Sequence, residues 1–378
     1  MFDYAKWMQD HFSVIVLTGN IDHEFNEYLD REVCLDGIAV SRFNLILKRL
    51  SKRNINIISP MMFIHAFSCV LKTKSPVTVL HISELRGLVP LYALLLKKLF
   101  TKRVTLIHSA FGMLQHKASF RRRIFDFFFL RPLIRAIDIE LVQNAHERSM
   151  FADLCMAFGW QDNVSYLLPL HISAKRSSNG GHKDRSLMSA LRLKYGLPQN
   201  AFICLFLGRF CEAKGILRTI DVFRQFRERS EKEAFLLIIG QDFDYRYELE
   251  KYITKSGLSP FVSIIENVHD ERFDYYILSD VLLGFPIIFE ETMLASVEAL
   301  SCGTPIVVSR EADIPYVLDS SAGYVIDFSI EGAVSSIMDI AGNIEAFEKN
   351  AYEISRTNFN EEHLKEQLLS QVILKVST

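Results

Sequence analysis

The amino-acid sequence predicts an α/β protein built of two doubly wound, Rossmann-like domains. Three observations lead there: the length, a recurrence of short apolar runs each followed by a helical pattern, and a polar break that divides the series in two. At 378 residues the chain is longer than one hydrophobic core usually serves, so two domains are expected. With 49% apolar and 23% charged residues, it has the composition of a folded globular chain rather than a disordered one.

In the first half the apolar runs fall at 13–17, 55–58, 77–82, 104–108 and 139–142. Runs this short, rich in Val and Ile and separated by helical segments, read as parallel strands of βα units. Residues 172–189 then turn to Ser, Lys, Arg, Gly and His, including Ser177-Ser178-Asn179-Gly180-Gly181, which is the chemistry of a linker. A second series follows at 202–207, 235–239, 262–265, 281–284, 305–308 and 323–326. The expected organisation is an N-terminal domain over 1–171, a linker over 172–200 and a C-terminal domain over 201–355. A final helix over 356–378, with Leu364, Leu368, Leu369 and Ile373 on one stripe, is expected to pack back on the first domain. In such sheets ligands bind beyond the carboxyl ends of the strands, here in a cleft between the domains.

Composition also excludes some functions. A net charge of −2 argues against a dedicated nucleic-acid binder, which needs surplus cations. The six cysteines are scattered, with no Cys-x-x-Cys pair, as expected of reduced, mostly buried thiols in a cytosolic protein. No basic start followed by an apolar stretch opens the sequence, so no signal peptide is expected. The longest apolar stretch, 88–96, falls well short of the roughly 20 residues that span a bilayer.

The chemistry concentrates in the second half. Gly208-Arg209, at the end of an apolar run, is followed by Lys214-Gly215 and a helical pattern from Ile216. Glycine at a strand end lets backbone approach a ligand, and an Arg with a nearby Lys can hold a diphosphate; alternatively the two cations simply solvate a helix start. The spacing is neither that of a P-loop nor that of the dinucleotide fingerprint. Further on, Glu290 and Glu298 are separated by seven residues, one at a strand-to-helix turn and the other about two helical turns along. The helix opening at Thr292, Met293 and Leu294 would aim backbone N–H groups at a phosphate. Glu298, among apolar neighbours, needs donor partners if buried, and a ribose diol would supply them.

The segment 290–307 resembles the Glu-x7-Glu element of family 4 (group 1) glycosyltransferases and the tail that follows it, matched by Glu298-Ala299-Leu300, Gly303 and Pro305-Ile306-Val307. Arg209 and Lys214 resemble the paired phosphate-binding cations of that family. The resemblance implies a GT-B fold, in which two Rossmann-like domains face a central cleft, and a retaining, metal-independent transfer of a hexose from a UDP- or GDP-sugar to a saccharide or lipid-linked acceptor. No cofactor is implied beyond that donor substrate. Arg209 and Lys214 would neutralise the leaving diphosphate, Glu298 would accept from the ribose, and Glu290 would contact the transferred sugar. Gly240-Gln241-Asp242 resembles the family's Val-Gly-x-Gly turn with its second glycine changed, and Val268 lies where the nucleobase usually sits. His108, at a strand end of the first domain, is the candidate contact to the sugar, with a satisfied structural histidine as the alternative.

Relatives open with a strand, a glycine-rich loop and a helix, whereas this sequence starts helix-like; a first domain lacking that first strand is expected, together with better activity from a chain extended upstream. Residues 119–131 mix Arg121, Arg122, Arg123 and Arg131 with phenylalanines. Such a mixture suits peripheral contact with an anionic membrane at the cytoplasmic face, or a helix with its rings in the core. The resemblance fits bacterial surface-polysaccharide synthesis. A nucleotide-sugar epimerase on the same fold and a catalytically degenerate donor-binding subunit are the alternatives.

Overall fold

The computed structural model describes residues 2–19, 21–22, 27–28, 30–44, 59–109, 114, 126–170, 183–266, 268, 271–290, 293–312, 314, 317 and 321–377. The chain forms two compact units, Met1–Leu168 with Lys365–Thr378, and Pro169–Leu364.

The first unit opens on the helix Phe2–Met8 and the strand β1 (Ile15–Gly19). A short pair, β2 (Ile21–Asp22) and β3 (Glu27–Tyr28), and a hairpin, β4 (Glu32–Leu35) and β5 (Ile38–Phe43), follow. β1 pairs parallel with β5, and β4 runs antiparallel to it. This hairpin is a departure from the all-parallel series read from the sequence. Its turn is Asp36-Gly37, both at positive φ (49° and 81°), the dipeptide that favours a tight two-residue turn. The expected strand at 55–58 lies outside the described residues. A four-stranded parallel sheet then follows in sequential order, β6 (Thr78–Ile82), β7 (Val104–Ser109), β8 (Ile139–Val142) and β9 (Ser165–Leu167). β7 and β8 are buried along their whole length, as strands covered on both faces must be.

The second unit contains a six-stranded parallel sheet: β10 (Phe202–Leu207), β11 (Ala234–Ile239), β12 (Val262–Ile265), β13 (Val281–Gly284), β14 (Ile306–Ser309) and β15 (Gly323–Ile326). Their spatial order is β12-β11-β10-β13-β14-β15, the doubly wound arrangement whose chain direction reverses between β10 and β13. Alternate residues of each strand enter separate cores. Ile203 and Leu205 join one, with Leu282 and Val308, while Phe202, Cys204 and Phe206 join the other, with Leu283 and Val307. The helix Ile216–Arg229 covers the second core with Ile216, Ile220, Phe223 and Phe226, all buried; their spacing is the apolar stripe of a surface helix.

Part of the expected linker belongs to this unit. Residues 185–194 form a helix, Arg185–Lys194, capped by Asp184. It is anchored by Arg192, which is buried and bonds to Asp280 Oδ2 at 2.8 Å and to the Leu278 carbonyl at 3.0 Å. Its sequence is polar enough to resemble a linker because the buried contacts are made by a guanidinium rather than by apolar side chains. At the other end, the helix Glu361–Ser377 returns to the first unit, where Lys365 pairs with Asp10 at 2.5 Å. Among the described residues no helix is long and apolar enough to cross a membrane.

Candidate active site

A cavity of about 380 Å³ opens at the carboxyl ends of β10 and β13, at the switch point where open α/β sheets bind ligands. Two loops build it. The first runs from Gly208 through a helical turn, Glu212–Lys214, to Gly215, whose φ of 66° is left-handed. A Cβ on Gly215 would meet the Phe285 carbonyl oxygen at 1.9 Å, so only glycine lets this backbone lie against the second loop. The Ile287 N–H donates to the Ala213 carbonyl at 2.9 Å, and Arg218 Nη1 donates to the Pro286 carbonyl at 3.0 Å. Gly208 itself is closely backed: a Cβ on Gly240 would sit 1.8 Å from the Gly208 carbonyl oxygen.

Gly208, Arg209, Lys214, Glu290, Met293, Leu294 and Glu298 all line this one cavity. Lys214 Nζ and Glu290 Oε1 are 2.7 Å apart across its mouth. Arg209 is exposed beside them. The loop carrying Glu290 is tied down by its own N–H, which donates to the Glu311 carbonyl at 2.6 Å. The Met293 N–H is likewise committed, to the Ala312 carbonyl at 3.3 Å, so it is not one of the donors expected to face a phosphate. The helix Leu294–Ser301 starts without a side-chain cap; the Ser296 N–H is taken by the Met293 carbonyl at 2.9 Å, and Leu294 and Ala295, which open the helix, line the cavity. Thr292 lies outside the described residues.

Glu298 projects from that helix with 5% of its surface exposed. Its Oε1 accepts from Arg272 Nε at 3.1 Å and Nη2 at 3.0 Å, and its Oε2 from the Tyr276 hydroxyl at 2.8 Å. The expected need for donor partners is thus met within the chain by two residues that sequence reasoning missed. Arg272 and Tyr276 are four apart on the helix Arg272–Leu278, a spacing that puts them on one face; nothing local says that this face meets Glu298. Burial and the adjacent carboxylate push the Tyr276 hydroxyl well above its ordinary pKa, so it stays a donor. A carboxylate offers about four acceptor sites, and three are used here, which leaves room for a hydroxyl from a ligand.

Val268 packs against the apolar core of the second unit and does not line the cavity. His108 is fully buried in the first unit, opposite Glu140 in the β7–β8 register, with its Nδ1 2.9 Å and 2.8 Å from the two Glu140 oxygens. It is a paired residue of the sheet interior, because the strand that carries it is covered on both faces. Its Nε2 has no hydrogen-bond partner among the described residues. Burial pushes the Glu140 carboxyl up to about 7.

Residues 189–363 match the family model of glycosyl transferases group 1. The match falls within the second unit. Over 177 residues the chain is 28% identical to D-inositol 3-phosphate glycosyltransferase 2 of Catenulispora acidiphila, a match covering 43% of this chain and 41% of that one. The chain spans about two fifths of the length of the curated relatives it matches. Among solved structures it resembles the sucrose-phosphate synthase of Thermosynechococcus elongatus, with a TM-score of 0.73 at 18% identity over 98% of this chain and 92% of that one. It also resembles Anabaena Alr3699/HepE, solved in complex with UDP and glucose, with a TM-score of 0.70 at 16% identity over 98% and 94%. At these identities the likeness establishes the fold, GT-B. Within the matched region, Gly208, Arg209 and Lys214 of one segment and Glu290, Met293, Leu294, Ala295 and Glu298 of the other line the cavity, together with Arg272, Gly284 and Pro286.

Proposed function

We propose that the protein is a retaining, metal-independent glycosyltransferase that moves a hexose from a UDP- or GDP-sugar to a saccharide or lipid-linked acceptor in bacterial surface-polysaccharide synthesis. The observation that carries this reading is the convergence of two cations and two carboxylates, Arg209, Lys214, Glu290 and Glu298, on one cavity at the sheet's switch point. Arg209 and Lys214 neutralise the diphosphate as charge develops on the leaving group, which is where fixed cations lower a barrier most. Glu298, held by Arg272 and Tyr276, accepts from a ribose hydroxyl. Glu290, whose Oε1 lies 2.7 Å from Lys214 Nζ, contacts the transferred hexose beside the diphosphate that Lys214 holds. The Anabaena neighbour solved with UDP and glucose supports a nucleotide-sugar donor.

Peripheral contact with an anionic membrane at the cytoplasmic face is part of the proposal. Phe127, Phe128 and Phe129 are 55%, 63% and 42% exposed on the turn Asp126–Leu130, next to Arg131, whose guanidinium lies 5.6 Å from the Phe127 ring. Exposed rings beside cations suit a headgroup layer. Arg121, Arg122 and Arg123 lie outside the described residues.

The test has two steps. UDP- and GDP-hexoses are screened for thermal stabilisation, since a ligand of the native state raises its melting temperature, and the stabilising donor is then assayed for acceptor-dependent transfer with analysis of the anomeric product. Binding without transfer to any saccharide or lipid-linked acceptor would favour a donor-binding subunit; conversion of donor alone would favour an epimerase.

A further inference from the structure

Phe243 is a large apolar side chain that the fold leaves 49% exposed although its backbone is firmly held. Its loop follows β11 and is zipped to the loop after β10. The Phe210 N–H donates to the Gln241 carbonyl at 2.8 Å, the Phe243 N–H donates to the Phe210 carbonyl at 3.2 Å, and Phe210 and Asp242 form a parallel bridge beyond the ends of the two strands. Asp242 in turn accepts from the N–H groups of Tyr245 at 2.8 Å and Arg246 at 3.0 Å, fixing the start of the helix Arg246–Lys255. Asp244 completes the turn at a φ of 60°, a left-handed conformation that Asp adopts more readily than most residues. All of this holds one ring in water beside Arg209, whose guanidinium carbon lies 5.3 Å from the ring centroid.

Arg209 is exposed and, among the described residues, is paired with no carboxylate, so the ring is the contact that orients its guanidinium. Stacking uses the face of a guanidinium and leaves its N–H edge for an anion. We propose that Phe243 is a positioning residue for donor binding: it holds Arg209 with its N–H edge presented to the diphosphate. This rests on Arg209 being a diphosphate ligand, the reading given above.

A double-mutant cycle tests it, with UDP and GDP as probes in calorimetry of the full chain. A cation–π contact at an exposed site corresponds to about a two- to fivefold change in an equilibrium constant. Phe243→Ala is therefore expected to weaken binding of the preferred nucleotide by about that factor, and Phe243→Trp to restore it. In an Arg209→Ala background, Phe243→Ala should have no further effect, because the residue acts only through the guanidinium. The same loss with and without Arg209, or no loss from Phe243→Ala, overturns the inference while leaving the phosphate site intact. Unchanged affinity in Arg209→Ala itself overturns the diphosphate reading and this inference with it.

Discussion

Substitutions at Glu298 should separate its role in folding from the role in nucleotide binding proposed for it. It accepts three hydrogen bonds, two from Arg272 and one from Tyr276. The donors respond differently to its loss. The Arg272 side chain is 33% exposed and can turn to water. Tyr276 is fully buried, so its hydroxyl is left without an acceptor at a cost of about 1–3 kcal/mol. The space vacated in a packed interior adds about 1 kcal/mol. Glu298→Ala is therefore expected to destabilise the second unit by about 2–4 kcal/mol, read from urea unfolding by circular dichroism because both tryptophans, Trp7 and Trp160, lie in the first unit. Adding Tyr276→Phe to Glu298→Ala removes the orphaned hydroxyl and should recover part of the loss. Glu298→Gln keeps an acceptor for Arg272 and most of the stability, which makes it the variant for binding. Charge-assisted hydrogen bonds are roughly twice as strong as neutral ones, so UDP or GDP affinity should fall about five- to tenfold. Wild-type stability in Glu298→Ala, or no recovery from Tyr276→Phe, would refute the Arg272–Glu298–Tyr276 account; wild-type affinity in Glu298→Gln would refute the ribose contact.

Three further outcomes are expected. Gly215→Ala should disrupt the cavity and destabilise the second unit by more than about 1 kcal/mol, because the new methyl group meets the Phe285 carbonyl at 1.9 Å in a left-handed backbone; a melting temperature and UDP affinity equal to wild type would contradict the packing of the two loops. Glu290→Gln should lower acceptor-dependent transfer far more than nucleotide affinity, since its proposed partner is the hexose, and a parallel fall in both would end that division of labour. The buried Glu140 carboxyl, raised to about 7 from an ordinary 4.5, favours its protonated form in the folded state. Its contribution to stability is thus complete below about pH 4.5 and is lost as pH rises toward 7. Melting curves across that window should show wild type losing stability relative to Glu140→Gln, and parallel curves would remove Glu140 as the cause.

Most of the fold was legible because it rests on a periodic pattern. Strands β8, β10, β12, β13 and β15 fall where the apolar runs lie, since strands of a parallel sheet read as short, mostly apolar runs. The hairpin β4–β5 was passed over although Asp36-Gly37 marks its turn, because its apolar runs, Val33-Cys34-Leu35 and Ile38-Ala39-Val40, are only three residues long. The helix at 185–194 was read as linker for a related reason: Arg192, its central anchor, looks solvent-seeking until Asp280 is seen beside it.

What the sequence by itself determined is which residue types stand at strand ends of the second domain: Gly208 and Arg209 after one apolar run, Glu290 after another, and Glu298 two turns into the next helix. Local spacing along strand and helix is enough for that, since it follows from fixed backbone geometry. Only the tertiary structure decided what each of these side chains touches. Glu298 meets Arg272 and Tyr276 because two helices distant in sequence pack together, and Arg209 meets Phe243 because the loops after β10 and β11 are hydrogen-bonded beyond their strands. His108 pairs with Glu140 because parallel register sets the two opposite each other. Pairing across a sheet or between helices depends on chain crossings over tens of residues, and no periodicity within a segment encodes them.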